Sequence, residues 1–286
     1  MANLKHIQSQ IKSVSSIQKV TKAMKMVAAA KLKRAQERME KARPYSERME
    51  NLISYLLIDA DTNLLPMLKK RSQIKKHALL IITSDRGLAG SFNSNIIKKV
   101  EEEIPKLGKD NVLLICIGKK CYEYFSNRNY NVDYSFAETW NDLNYNQAIQ
   151  IGRNLISSYL NKEFDSLKVV YNYFKSAASQ EVIYKQILPI EFNKITENQS
   201  SEVIYEPSKK EIIKTLVPKI FNTQIWQYLL ESFASEQAAR MLAMDNATEN
   251  AKDMISDLKL QFNKARQTAI TTEMLEIVGG AEALSN

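Results

Sequence analysis

Histidine, cysteine and glycine are all scarce in this sequence, and each scarcity closes off a class of function. Two histidines (His6, His77) and two cysteines (Cys116, Cys121) are too few for a disulfide scaffold or a zinc centre. Neither histidine has a recognisable serine or cysteine partner, and no GxSxG turn is present, so nucleophilic catalysis has no candidate. Cys116 lies in the apolar stretch 112–117 and reads as a buried small hydrophobe. Long apolar runs are also missing: stretches such as 78–82 fall far short of the ~20 residues that cross a bilayer. The N-terminal Met-Ala-Asn-Leu-Lys carries neither an apolar signal core nor an Arg/Ser-rich transit segment. The chain is therefore expected to stay on one side of a membrane.

The placement of glycine divides the 286 residues. None occurs before Gly87 or between Gly152 and Gly279, and five of the seven fall in 87–152. A glycine costs a helix interior about 1 kcal/mol relative to alanine, so glycine-free flanks around a glycine-bearing centre suggest helical ends and a turn-rich middle. In the N-terminal flank Leu4, Ile7, Ile11, Val14, Ile17, Met24, Val27 or Ala28, Leu32, Ala35 and Met39 recur at threes and fours, with a polar gap near Thr21. This is the narrow stripe of a coiled coil. Pro44 is expected to end or kink the helix, and Met49, Leu52, Ile53, Leu56 and Leu57 continue it to about residue 60. Such a helix would span about 80 Å at 1.5 Å per residue, longer than a small domain. The C-terminal flank mirrors it through Ile225, Leu229, Phe233, Ala238 or Met241, Met244, Ala247, Ala251, Met254 or Ile255, Leu258, Phe262 and Ala265. Pro218 suits a first helical turn and Gly279–Gly280 a stop. Ser235, Asn246, Thr248, Asn250 and Asn263 dilute the stripe, as in a helix that touches something besides its partner.

Charge supports pairing of the two ends. Residues 1–50 hold twelve Lys/Arg and four Glu, whereas 221–286 hold five Lys/Arg and nine Asp/Glu. Opposite charge fixes register and orientation between helices. The middle has another rhythm. Runs rich in β-branched or aromatic residues at 77–83, 112–117 and 168–174 alternate with helical patterns at 94–104, 119–126 and 145–160, which predicts a parallel α/β sheet. Further strands are expected at 181–189 and 203–205, with a turn-rich loop near 193–201. The reading is an α/β protein: a long antiparallel coiled coil of the terminal helices (1–60 and 209–286) plus a Rossmann-like domain (75–205).

A ligand site in such a domain belongs after a strand, where the sequence reads Thr-Ser-Asp-Arg-Gly-Leu-Ala-Gly-Ser-Phe-Asn over 83–93. Neither GxxxxGK[ST] nor GxGxxG is complete there. Gly87 and Gly90 make a turn, with Ser91 or Asn93 as cap of the next helix. The alternative reading is a stand-alone nucleotide-binding regulatory protein using this loop. Lys5, Lys12, Lys19 and Lys22 form a basic stripe, but no aromatic residue precedes Tyr45, so base stacking is unavailable and no nucleic-acid partner is expected. The stripe also lacks the Trp or Phe anchors of a membrane-surface helix.

Two long motifs carry a resemblance. Residues 11–31, IKSVSSIQKVTKAMKMVAAAK, resemble the N-terminal signature of the rotary ATP synthase gamma-subunit family. Residues 234–280, ASEQAARMLAMDNATENAKDMISDLKLQFNKARQTAITTEMLEIVGG, resemble its C-terminal signature. TSDRGLAGSFN is similar to the family's loop after the first strand, where cysteine often takes the place of Ala89. The resemblance spans the chain and is weakest over 120–205. It implies a central shaft that couples rotation of a membrane c-ring to ATP synthesis or hydrolysis on beta subunits in a proton-translocating complex. The partners it implies are a ring of three alpha and three beta subunits, an epsilon subunit and the c-ring. It implies no catalytic residue and no cofactor or metal in this chain, and a peripheral position on the cytoplasmic face of a bacterial inner membrane. Met24, in the family's KAM motif, would meet the lever region of beta. Arg266, Gln267 and Thr271, in the RQxxIT segment, would contact the alpha/beta ring, Arg266 through a carboxylate. Tyr205 and Glu206, in Tyr-Glu-Pro, would face the c-ring and epsilon.

Overall fold

A computed structural model describes residues 2–57, 66–69, 71, 73–136, 140, 143–191 and 205–285. The chain divides into two compact units, one of Met1–Ala28 with Met241–Asn286 and one of Ala29–Arg240. The longest elements are the first and last: α1 covers Ala2–Leu56 and α5 covers Lys209–Ser285. Between them, in chain order, lie β1 (His77–Ile82), α2 (Phe92–Leu107), β2 (Val112–Ile117), α3 (Lys119–Ser126), β3 (Val132–Phe136), α4 (Tyr145–Leu160), β4 (Ser166–Phe174) and β5 (Gln180–Leu188).

The larger unit is built on a five-stranded sheet of order β3-β2-β1-β4-β5. The first four strands are parallel, and β5 returns antiparallel to β4. Strand residues alternate between faces, so Leu79 and Ile81 of β1 join Phe92, Ile96 and Val100 of α2 and Phe125 of α3 in one core layer. Ala78, Leu80 and Ile82 face the other way, into a layer with Ile151 and Leu155 of α4, Met49, Ile53 and Leu56 of α1, and Phe221, Ile225 and Leu229 of α5. Both faces are covered, which explains why the parallel strands read as continuous apolar runs. The N-terminal end of β1 is clasped by Asp165, which accepts from the Lys75 and Lys76 amides and from Arg71. Burial works to raise the Asp165 carboxyl, but these donors outweigh it and hold its pKa at about 2.

α1 continues past Pro44 to Leu56, as the apolar spacing over 49–57 predicts. Other expectations are corrected: Pro218 is not in a first turn, because α5 begins at Lys209. An interior proline costs a helix about 3 kcal/mol. Buried neighbours such as Met49, Ile53 and Leu56, or Ile213, Val217 and Phe221, return about 1.5–3 kcal/mol apiece. α5 also continues through Gly279 and Gly280, neither of which has a positive φ; their cost to the helix is about 1 kcal/mol each. β3 has no counterpart in the pattern reading, because it is short and carries Asp133 and Ser135 between its apolar residues. The expected loop at 193–201 and most of the strand at 203–205 fall outside the described residues; Tyr205 itself is outside any strand. Among the described residues no helix is long and apolar enough to cross a membrane.

Candidate partner-contact site

In the smaller unit the two ends of the chain pair side by side. Lys25 Nζ donates to Asp245 Oδ1 at 2.6 Å, and the Thr248 hydroxyl donates to Thr21 Oγ1 at 2.8 Å. Since 25 meets 245 and 21 meets 248, the helices are antiparallel. The inward positions of α1 repeat at threes and fours: Leu4, Ile7, Ile11, Val14, Gln18, Thr21, Lys25 and Ala28 are buried or half-buried. Met244 and Ala251 of α5 are buried, and Ile255, Leu258, Phe262 and Ala265 are half-buried.

This seam corrects the expected stripe. Thr21 is 8% exposed, whereas Ile17 is 54%, Val20 53% and Val27 57% exposed. The gap near Thr21 is therefore no interruption of the seam. The seam passes through Gln18, Thr21 and Lys25, and the apolar residues there are turned outward. Ile17, Val20, Met24 and Val27 make a second stripe, spaced three, four and three, with no cover. The exposed Lys5, Lys12, Lys19 and Lys33 recur at multiples of seven, on another flank of the same helix. One helix thus presents an internal polar-to-apolar seam, an apolar flank and a basic flank. The methionines divide in the same way: Met24 and Met26 are exposed and Met244 is buried.

The family-derived residues are placed as follows. Met24 belongs to the outward apolar stripe. Arg266 and Gln267 are exposed on α5, and Arg266 has no carboxylate partner among the described residues. Thr271 is exposed, one turn beyond Gln267 on the same face, and its hydroxyl donates to the Gln267 carbonyl at 2.9 Å. From Ile270 to Ala281 every side chain is exposed, Met274, Leu275, Ile277 and Val278 included. In the larger unit Tyr205 is half-buried against the core, with the Lys209 ammonium 5.8 Å from its ring centroid, and Glu206 is exposed.

Within and beside the 83–93 loop, Ser84 N donates to Asn93 Oδ1, and Lys119 N, at the start of α3, donates to Asp85 Oδ1. Ser91 occupies the cap position of α2 without a side-chain cap bond, and Asn93 reaches back to Ser84 instead. The strand order reverses between β1 and β4, which is where such folds hold ligands. Here that crevice is filled by protein: Trp140 Nε1 donates to Thr83 O, Asn172 Nδ2 to Phe92 O, and Ser235 Oγ to Asn172 O. Arg240 of α5 pairs with the buried Glu236 at 2.6 Å and donates to the carbonyls of Arg86 and Gly87. Burial pushes the Glu236 carboxyl up, Arg240 pulls it down, Asp85 adds to the upward push and Lys31 opposes it; the net shift is upward. Glu236, Arg240, Gln18, Lys25 and Asp245 were not singled out in the sequence, and Thr21 and Thr248 were noted only as interruptions of the apolar stripes. The unbroken three-four spacing from Leu4 to Ala35 was the available signal for the seam; nothing local marks Glu236 as buried.

A family profile described as ATP synthase matches residues 3–284. The ATP synthase gamma chain of Chlorobium phaeobacteroides is 46% identical over 99% of both chains. A chain in the central stalk and c-ring structure of the Tetrahymena thermophila mitochondrial ATP synthase matches at a TM-score of 0.62 with 27% identity, covering 80% of this chain and 99% of that one. A chain in the OSCP/F1/c-ring structure of the Euglena gracilis enzyme shares the fold at a TM-score of 0.72 with 19% identity, covering 99% of this chain and 95% of that one.

Proposed function

Because the chain belongs to the ATP synthase gamma family, we infer that it is the rotor shaft of a rotary ATP synthase, turning with a c-ring inside a ring of alpha and beta subunits. The observation that carries this reading is the pairing of the chain's two ends into a two-helix unit that leaves an apolar stripe and the far end of α5 uncovered. A bound surface shifts an equilibrium between states only through its differential interaction with them. A helix pair with one apolar flank and one basic flank offers different contacts to different neighbours as it turns, and so drives identical sites into different states.

In this reading Met24 and its stripe meet beta, and Arg266, Gln267 and Thr271 meet the alpha/beta ring, with the unpaired Arg266 taking a carboxylate there. Tyr205 and Glu206 form the foot toward the c-ring and epsilon. In this reading the chain contributes no catalytic group, and ATP chemistry belongs to the surrounding subunits. The division that goes with this reading is an N-terminal coiled-coil segment 1–60, an α/β domain 75–205 and a C-terminal coiled-coil segment 209–286. The complex would hold the chain peripherally on the cytoplasmic face of a bacterial inner membrane.

Co-expression with alpha and beta subunits tests the reading. The chain is expected to co-purify at one copy per three alpha and three beta. In the complete enzyme Arg266→Ala is expected to lower ATP-driven ion pumping about tenfold, the effect of losing about 1.4 kcal/mol from a charge-assisted contact. Nucleotide affinity of isolated beta should be unchanged. Unaltered pumping and synthesis in that variant would remove Arg266 from the contact, and failure to co-purify would remove the shaft reading itself.

A further inference from the structure

We propose that the polar stretch of the seam, Gln18, Thr21 and Lys25 on α1 with Asp245 and Thr248 on α5, is a register lock that fixes which flank of α1 faces outward. It deepens the shaft reading and rests on it only for the use made of the outward flank.

α1 has two stripes that could each serve as a seam. Val14, Gln18, Thr21, Lys25 and Ala28 face α5, while Ile17, Val20, Met24 and Val27 lie about 100° around the helix. The outward stripe is the more apolar of the two. Burial of apolar area alone would favour rolling α1 to bury it, yet those side chains are the exposed ones. What the observed packing has, and the rolled packing would lose, is the Lys25–Asp245 pair and the Thr21–Thr248 hydrogen bond. The Thr248 hydroxyl lies within bonding distance of the Met244 carbonyl as well, at 2.7 Å, so it is anchored on its own helix. Lys25 and Asp245 are 40% and 42% exposed, and a half-solvated pair adds little to stability. Its geometry is nevertheless directional. A polar residue at one seam position is an established means of specifying register at some expense in stability. The two contacts lie one helical turn apart on each helix, so they fix both the rotation and the axial stagger of α1 against α5. The same stagger sets Val14 level with Ile255.

The test uses disulfide formation in the complete enzyme. Val14→Cys/Ile255→Cys reports the observed packing, and Ile17→Cys/Ala251→Cys, a pair at the same stagger, reports the rolled one. In the otherwise native chain the 14–255 bridge should form at least tenfold more completely than the 17–251 bridge. Lys25→Asp should cut that preference at least fivefold, and the swap Lys25→Asp/Asp245→Lys should restore it. In Thr21→Leu/Lys25→Leu/Asp245→Leu the preference should collapse, with ATP-driven pumping falling at least fivefold although α1 and α5 remain paired. An unchanged preference in Lys25→Asp, or no recovery in the swap, overturns the lock. Co-purification with alpha and beta subunits, measured on the same variants, reports separately on the shaft reading: its loss in the native chain would count against that reading and leave the bridge ratios to decide the lock.

Discussion

Gly118→Ala is expected to cost the larger unit about 3–5 kcal/mol, the range of the most damaging single substitutions. Gly118 stands between β2 and α3 with φ +96° and ψ 147°, a region open to glycine and strained for any residue with a Cβ. A Cβ there would also lie 2.2 Å from the Thr83 carbonyl oxygen, a backbone atom that cannot swing aside. That carbonyl accepts from Trp140, and the Thr83 hydroxyl accepts from the amide of Cys121. Relief of the clash would therefore pull β1, α3 and Trp140 apart together. Urea unfolding followed by tryptophan fluorescence gives the midpoint; a shift corresponding to less than about 1 kcal/mol would show that the loop is not held as described. Gly87, which has nothing within 4 Å of its missing Cβ and no positive φ, is the control and should tolerate alanine.

Arg240→Ala should be nearly as damaging at neutral pH and much less so in acid. Glu236 is 4% exposed, and its Oε2 is buried without a partner among the described residues. Removing the cation that pairs with a buried carboxylate costs about 3–5 kcal/mol, because the charge left behind is uncompensated. Burial already pushes the Glu236 carboxyl up, and losing Arg240 removes the main opposing influence. A carboxyl whose pKa is higher folded than unfolded destabilises the folded state above the unfolded value, about 4.3, with the penalty growing until the folded pKa is passed. The variant should thus lie closest to the parent near pH 4–5 and furthest from it near pH 8. Glu236→Gln/Arg240→Ala should recover part of the loss at pH 8 and lose the pH dependence. Denaturation curves at pH 5 and pH 8 check both statements, and a loss of equal size at the two pH values would contradict the assignment.

Elements governed by local chemistry were legible in the sequence. β2, α3 and α4 fall where apolar runs and helical spacing put them, and β1, α2, β4 and β5 begin or end within a few residues of expectation. β3 escaped because five residues with two polar members give little periodicity. Pro218 and the terminal glycines misled because their penalties are local and modest, and burial along the same helix overrides them. The motif residues Met24, Arg266, Gln267 and Thr271 were marked by resemblance, and the structure adds that all four are exposed on helices of the smaller unit. The seam was misread between residues 17 and 27 because apolarity was followed in preference to spacing. Between those residues the two signals separate.

What the sequence determined by itself is the family, the helical ends around an α/β middle, and the pairing of a basic end with an acidic one. Those properties are written in residue type and period. Tertiary structure alone decided which flank of α1 is inside, that a polar run lies in the seam with an apolar one outside it, and that the ligand crevice of the sheet is plugged by Trp140 and α5. The physical reason is that burial is a property of pairs. Thr21 is inside because Thr248, far away in the chain, is there to bond it; Glu236 has its partner Arg240 one turn along the same helix, but its burial comes from what α5 packs against, which the neighbouring residues do not show.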